Sequence, residues 1–84
     1  LRKQARKIVI KIAYEQLDDV FCRDLQIRLE RNQDGVPYII VVNRADGYRT
    51  VIGSSQGGRG LKPSLSMKMD MEELTGANTV EILY

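Results

Sequence analysis

Along the chain the apolar residues change their spacing several times, and each change marks an element boundary. Ile8, Ile10, Ile12 and Tyr14 recur at a period of two, and β-branched residues dominate. Residues 8–14 therefore read as a strand. Over residues 15–22 the spacing becomes helical: Leu17, Val20 and Phe21 stand at i, i+3 and i+4, with Glu15, Asp18 and Asp19 on the opposite side. Residues 24–31 return to alternation, with Leu25, Ile27 and Leu29 on one face and Gln26, Arg28 and Glu30 on the other. That pattern predicts a half-buried strand. A continuous helix over 15–31 is the rival, and it places Leu25 and Ile27 on poorly matched faces.

Asp34-Gly35 then supplies a turn. Residues 38–42 are apolar on both faces and read as the most buried strand, with Pro37 tolerated at its start. A second turn, Asp46-Gly47, leads into a strand over 48–52. Residues 24–52 thus read as a central antiparallel meander. Residues 53–64 form a glycine-rich loop. Leu65, Met67, Met69 and Met71 alternate again and predict another strand. A short helical turn over 72–75 is closed by Gly76, which suits a left-handed cap. Val80, Ile82 and Tyr84 share one face of a last strand. The expectation is a small, β-rich α+β domain of about six strands and two short helices.

Two stretches resemble each other, Lys-Ile-Ala-Tyr-Glu-Gln-Leu at 11–17 and Lys-Met-Asp-Met-Glu-Glu-Leu at 68–74. Aligned, they make both ends of the chain strand, short helix, strand, with Leu17 and Leu74 as equivalent anchors. Such symmetry suits a small barrel. The run MKMDMEELTGANTVEIL is similar to cradle-loop barrels, the group containing double-psi barrels and swapped-hairpin transcription regulators. That resemblance implies a closed or half-closed sheet. Asn78-Thr79 stands where that group usually has Gly-Asp.

Eighty-four residues suit one domain, and a chain this short buries only about 60–65% of its unfolded surface. Residues 1–6 read as a basic tail on that domain. No apolar run approaches the ~18 residues that span a bilayer, so no membrane partner is expected. The start has no signal-peptide pattern. Residue 1 is leucine, which reads as a chain processed, trimmed or cut from a larger protein. The one cysteine, Cys22, permits no internal disulfide and suits a reducing, cytoplasmic setting. Its place beside Phe21 reads as a small buried hydrophobe.

The net charge of +2 conceals a segregation. Arg2, Lys3, Arg6, Lys7 and Lys11 occupy the first eleven residues with no acid among them. Arg44, Arg49, Arg59 and Lys62 face only Asp46 over residues 44–62, and the remainder is acidic. A segregated field can steer a charged partner.

Nucleophilic catalysis is poorly supported. The chain has no histidine, so neither a Ser-His nor a Cys-His pair exists. Ser54 and Ser55 lack a base, and Asp18, Asp19 and Asp24 lack the spacing of a calcium loop. Chemistry using only arginine, tyrosine and carboxylates stays open. No catalytic residue, metal or cofactor is expected. The loop Gly-Ser-Ser-Gln-Gly-Gly-Arg-Gly-Leu-Lys-Pro-Ser fails the phosphate-loop pattern, because it leads towards a strand and lacks Gly-Lys-Ser/Thr. Its glycines still let backbone N–H groups approach an anion. The methionines read as core filler, with an adaptable contact surface as the alternative.

The expected function is therefore binding. The first expectation is a nucleic-acid-binding or regulatory module. Arg2, Lys3, Arg6, Lys7, Arg44, Arg49, Arg59 and Lys62 would hold phosphates, and Tyr48 would stack a base. The alternative is a protein-interaction or assembly module that oligomerises by pairing an exposed edge strand.

Overall fold

A computed structural model of the chain describes residues 5–53 and 60–84. Strand β1 (Lys7–Ala13) is central to the fold. Its even-numbered side chains Ile8, Ile10 and Ile12 are fully buried, as their alternation predicts. A single 3-10 turn (Tyr14–Gln16) leads to helix α1 (Asp19–Arg31). A two-residue strand β2 (Gln33–Asp34) and strand β3 (Tyr38–Asn43) follow. The Asp46-Gly47 turn connects β3 to β4 (Arg49–Gly53), with Gly47 at φ +90°. Strand β5 (Gly60–Leu61), helix α2 (Leu65–Thr75) and strand β6 (Val80–Leu83) complete the described chain.

The main sheet has the order β4-β3-β1-β6. Strand β1 runs parallel to β3 and antiparallel to β6, and β4 runs antiparallel to β3. Parallel neighbours need a crossover, and α1 provides it. Both helices lie on one face of the sheet. Phe21 and Leu25 of α1 and Met67 and Met71 of α2 join Ile8, Ile10, Ile12, Ile40, Val42 and Val80 in one core. The ribbon of β2 and β5 adds Leu61, also fully buried. Each such side chain contributes about 1.5–3 kcal/mol by leaving water.

The described residues form a small α+β domain of six strands and two helices, as expected in number, but only β1, β3, β4 and β6 fall on expected strands; β2 and β5 lie in the expected turn and glycine-rich loop, and two expected strands are helical. Residues 24–31 are helical, so the meander over 24–52 reduces to the β3–β4 hairpin. Residues 65–71 are the first part of α2 rather than a strand. In α1 the Asp18 carboxylate caps the helix by accepting from the Phe21 N–H at 2.7 Å. Phe21 and Leu25 then face the core one turn apart, while Ile27 is 52% exposed. In α2 the Ser64 hydroxyl accepts from the Met67 N–H at 3.1 Å. Met67 and Met71 are fully buried, four residues apart, and Leu65 and Met69 face outward. The helix expected over 15–22 is displaced: its first residues form the 3-10 turn and α1 begins only at Asp19.

These helices also remove the symmetry. The stretch 11–17 finishes β1 and passes through the 3-10 turn, whereas 68–74 lies wholly inside α2. The sheet is open, with β4 and β6 as its two edges. The likeness to cradle-loop barrels therefore finds no closed sheet here.

Cys22 is a further correction. It is exposed, because Phe21 takes the inward position of the first turn of α1. We expect a thiol reagent to label the folded protein stoichiometrically, as fast as the urea-unfolded chain. Slow labelling that tracks global unfolding would place Cys22 inside.

Candidate interaction surface

One face of the sheet carries the helices, so the other is defined by the odd-numbered residues of β1. The strand registers group its side chains into rows. One row reads Gly53, Ile39, Val9, Glu81 across β4, β3, β1 and β6. The next reads Val51, Val41, Lys11, and the next Arg49, Asn43, Ala13. Lys7 lies opposite Leu83 at the other end. Among the described residues no helix covers this face. Val9, Ile39 and Val41 are half-buried, and Val51 is 60% exposed. The two-sided apolarity of β3 thus means one face in the core and one on an open floor, not burial on both sides.

Three cations, Lys7, Lys11 and Arg49, border this floor against one acid, Glu81. All four are exposed, and the cations have no ion pair among the described residues. The acids concentrate on the helical side. Asp18, Asp19, Glu30 and Glu73 are exposed there. Arg23 and Arg31 of α1 are exposed on that side too, so the open face carries a small excess of cations rather than a full separation of charge.

The residues expected to hold nucleic acid do not form one patch. Arg6 and Lys7 lie where the parallel strands begin, and the Arg6 N–H donates to the Leu83 carbonyl at 2.7 Å. Lys62 is at the same end, its N–H on the Asn32 carbonyl at 2.9 Å, just beyond α1. Arg44, Tyr48 and Arg49 lie at the opposite end, in and after the β3–β4 turn. A seven-residue strand separates the groups by about 20 Å. Arg2, Lys3 and Arg59 lie outside the described residues. Arg44 is already engaged. Its guanidinium lies 5.1 Å from the centroid of the Tyr14 ring and 3.4 Å from the Asp46 carboxylate. Tyr48 is 71% exposed at this end of the sheet, away from the floor.

Lys11 and the floor residues Val9, Ile39, Val41 and Val51 escaped the sequence reading as site residues. The signal was the apolar, β-branched odd positions of β1 and β3, which only a register can place side by side.

The two sheet edges differ. In the β3–β4 hairpin the Arg44 N–H donates to the Tyr48 carbonyl at 2.9 Å. Antiparallel pairs alternate, so Val42–Thr50 and Ile40–Ile52 are the next hydrogen-bonded pairs. Arg49, Val51 and Gly53 therefore turn their N–H and C=O groups to the free side, where nothing among the described residues pairs with them. Every residue of β4 is exposed. Its apolar side chains are uncovered on both faces, Val51 towards the floor and Ile52, 52% exposed, beyond the reach of the helices. On β6 the Lys11 N–H donates to the Thr79 carbonyl at 2.8 Å, which by the same alternation turns Val80 and Ile82 outward. There the Glu72 carboxylate accepts from the Val80 N–H at 3.3 Å and occupies that edge. Edge strands are usually blunted by such charges, prolines or bulges. Strand β4 has none of these between Thr50 and Gly53.

Of the three carboxylates Asp18, Asp19 and Asp24, Asp18 caps α1 and Asp24 pairs with Arg28 at 3.0 Å. Among the described residues no group of three His, Cys, Asp or Glu side chains is placed to hold a metal ion, and no helix is long and apolar enough to cross a membrane. Comparison of the chain with protein-family models, with curated proteins and with solved structures finds no match. The surface geometry alone therefore carries the functional reading.

Proposed function

We propose that this domain is a protein-interaction module that receives an extended segment of its partner on the free edge of β4. One observation carries the reading: β4 is an edge strand with its outward backbone unpaired among the described residues and its apolar side chains bare on both faces. Strand addition satisfies the backbone groups and gives alternate side chains somewhere to pack. The adjoining floor of Val9, Ile39 and Val41 enlarges the contact.

Val51→Pro tests this directly. The Val51 N–H points away from β3, so proline there removes an edge donor and leaves the β3 ladder intact. The variant is expected to melt within a few degrees of the parent. Its binding to extended ligands selected from a random-peptide array should fall about tenfold or more, because both the donor and the close approach are lost. Ligands that bind parent and variant equally would place the contact elsewhere.

A nucleic-acid reading is favoured by Lys7, Lys11 and Arg49 around the open face. The floor between them is aliphatic and offers no ring for a base to stack on. A single-stranded oligonucleotide bound with a steep loss of affinity in salt, and released by Lys11→Ala plus Arg49→Ala, would decide for that reading.

A further inference from the structure

The edge of β4 prescribes the side chains of the segment it fits. Resting on the strand-addition reading above, we propose that the natural ligand is an extended segment of another protein, antiparallel to β4. It carries a large side chain opposite Gly53, an aliphatic one opposite Val51 and an acidic one opposite Arg49.

Register dictates the spacing. An antiparallel partner bonds to the outward groups of Arg49, Val51 and Gly53, so alternate ligand residues stand directly opposite these three. They lie on the open-face side, because Arg49, Val51 and Gly53 share rows with Asn43, Val41 and Ile39. Opposite Arg49 a carboxylate gives the favourable cross-strand pair, and Arg49 has no ion pair among the described residues to compete for it. Opposite Val51 a β-branched side chain extends the aliphatic row of Val41 and Val51. At Gly53 a Cβ would meet nothing within 4 Å. A large ligand side chain has room to lie across that glycine towards Ile39. The two intervening ligand residues face Ile52 and Thr50 on the other side, where Ile52 favours an apolar partner. Read from its N-terminus, the ligand runs large, apolar, aliphatic, small polar, acidic.

Charge also separates this ligand from a second copy of the chain. A copy paired antiparallel about Val51 would place its own Arg49 opposite Gly53 and leave both arginines without a carboxylate. It would also bring three more open-face cations onto the same continuous surface. An acidic segment compensates that field and a copy doubles it.

The test uses a fluorescein-labelled twelve-residue peptide centred on Phe-Ile-Val-Thr-Glu, and a second peptide with lysine in place of that glutamate. Anisotropy of the full chain is read at low and physiological salt, with hydrogen exchange followed at Val51. The glutamate peptide should bind about fivefold more tightly than the lysine peptide, the scale of reversing one cross-strand charge pair. In Arg49→Glu the order should invert. That exchange of preference separates a direct pair from a general charge effect, and circular dichroism confirms that the exposed substitution leaves the fold intact. Equal binding of both peptides, with Val51 protected, overturns the charge rule and leaves strand addition standing. Binding of neither peptide overturns the ligand rule. Val51 protected in a dimer of the free protein overturns it in favour of the second copy.

Discussion

Gly60→Ala is expected to remove about 3 kcal/mol of stability, comparable with a large core truncation. A Cβ on Gly60 would overlap the carbonyl oxygen and carbon of Val36. Those are backbone atoms, so no rotamer change relieves the overlap. The two backbones cannot separate cheaply either, because Val36 bridges to Leu61 of β5. The Leu61 N–H donates to Val36 O at 2.7 Å, and the Val36 N–H donates back to Leu61 O at 3.2 Å. The Leu61 side chain, fully buried in the core, follows wherever that ribbon moves. A domain of this size has about 4–13 kcal/mol in total. Since 1 kcal/mol shifts the melting point of a 60–100-residue domain by about 4–8 °C, the variant should melt about 12–24 °C lower. Gly53→Ala is the control, because a Cβ there meets nothing within 4 Å. It should melt within a few degrees of the parent. A Gly60→Ala protein that melts with the control would mean that β5 does not approach the Val36 backbone as described.

The contrast between these glycines is invisible along the chain. Both belong to the glycine-rich stretch 53–64, and only the bridge between Leu61 and Val36 gives one of them a close neighbour. The strands were easier to read. Ile8, Ile10 and Ile12 alternate and are β-branched, and the Asp46-Gly47 turn announces its hairpin. The helices are hidden in the sequence because a period of two contains a period of four. Leu25, Ile27 and Leu29 satisfy both, as do Leu65, Met67, Met69 and Met71. Composition could have separated them. The run 65–74 has no β-branched residue and is rich in Leu, Met, Lys and Glu, all strong helix formers. Asp18 and Ser64 also stand where helix caps belong.

The site was legible only as ingredients. Arg49, Lys7 and Lys11 were visible as cations and the edge strand as a possibility, but the register across β4, β3 and β1 places them on one floor. Arg44, in the β3–β4 turn, and Lys62, bonded to Asn32 beyond α1, fall at opposite ends of the fold. Glu72 shows the limit most plainly. Nothing in its local sequence says that its carboxylate occupies the β6 edge and so leaves β4 as the open one.

Asp70→Asn is expected to destabilise the fold by about 2 kcal/mol at neutral pH, and this difference should vanish in acid. The Asp70 carboxylate fastens α2 to α1. Its Oδ1 accepts from Arg28 at 3.0 Å and from Arg31 at 2.8 Å, and its Oδ2 accepts from Arg31 at 3.1 Å and from Asn32 at 2.7 Å. Arg28 is largely buried, with its side chain 13% exposed, and also pairs with Asp24 at 3.0 Å. Asparagine keeps the shape and loses the charge that these donors serve, and hydrogen bonds to charged groups contribute about 1.5–3 kcal/mol each. Retention of the Asp24 pair and of the Asp70 backbone carbonyl as an acceptor for Arg28 keeps the cost at the lower end. Burial alone would raise the pKa of Asp70. The hydrogen bonds from Asn32 and Arg31, with the charges of Arg31 and Arg28, outweigh it and hold the pKa below its ordinary value. A depressed folded pKa means that the unfolded chain binds the proton first as pH falls. The stabilisation is therefore complete above the unfolded value of about 4 and is lost as pH drops through the folded value. Once protonated, Asp70 is neutral, as asparagine is, so parent and variant should converge. Urea unfolding of both proteins from about pH 7 downward measures the gap, and taking the difference removes every other carboxylate common to the two. A gap that stays constant through acid would mean that the Asp70 charge does not hold the helices together.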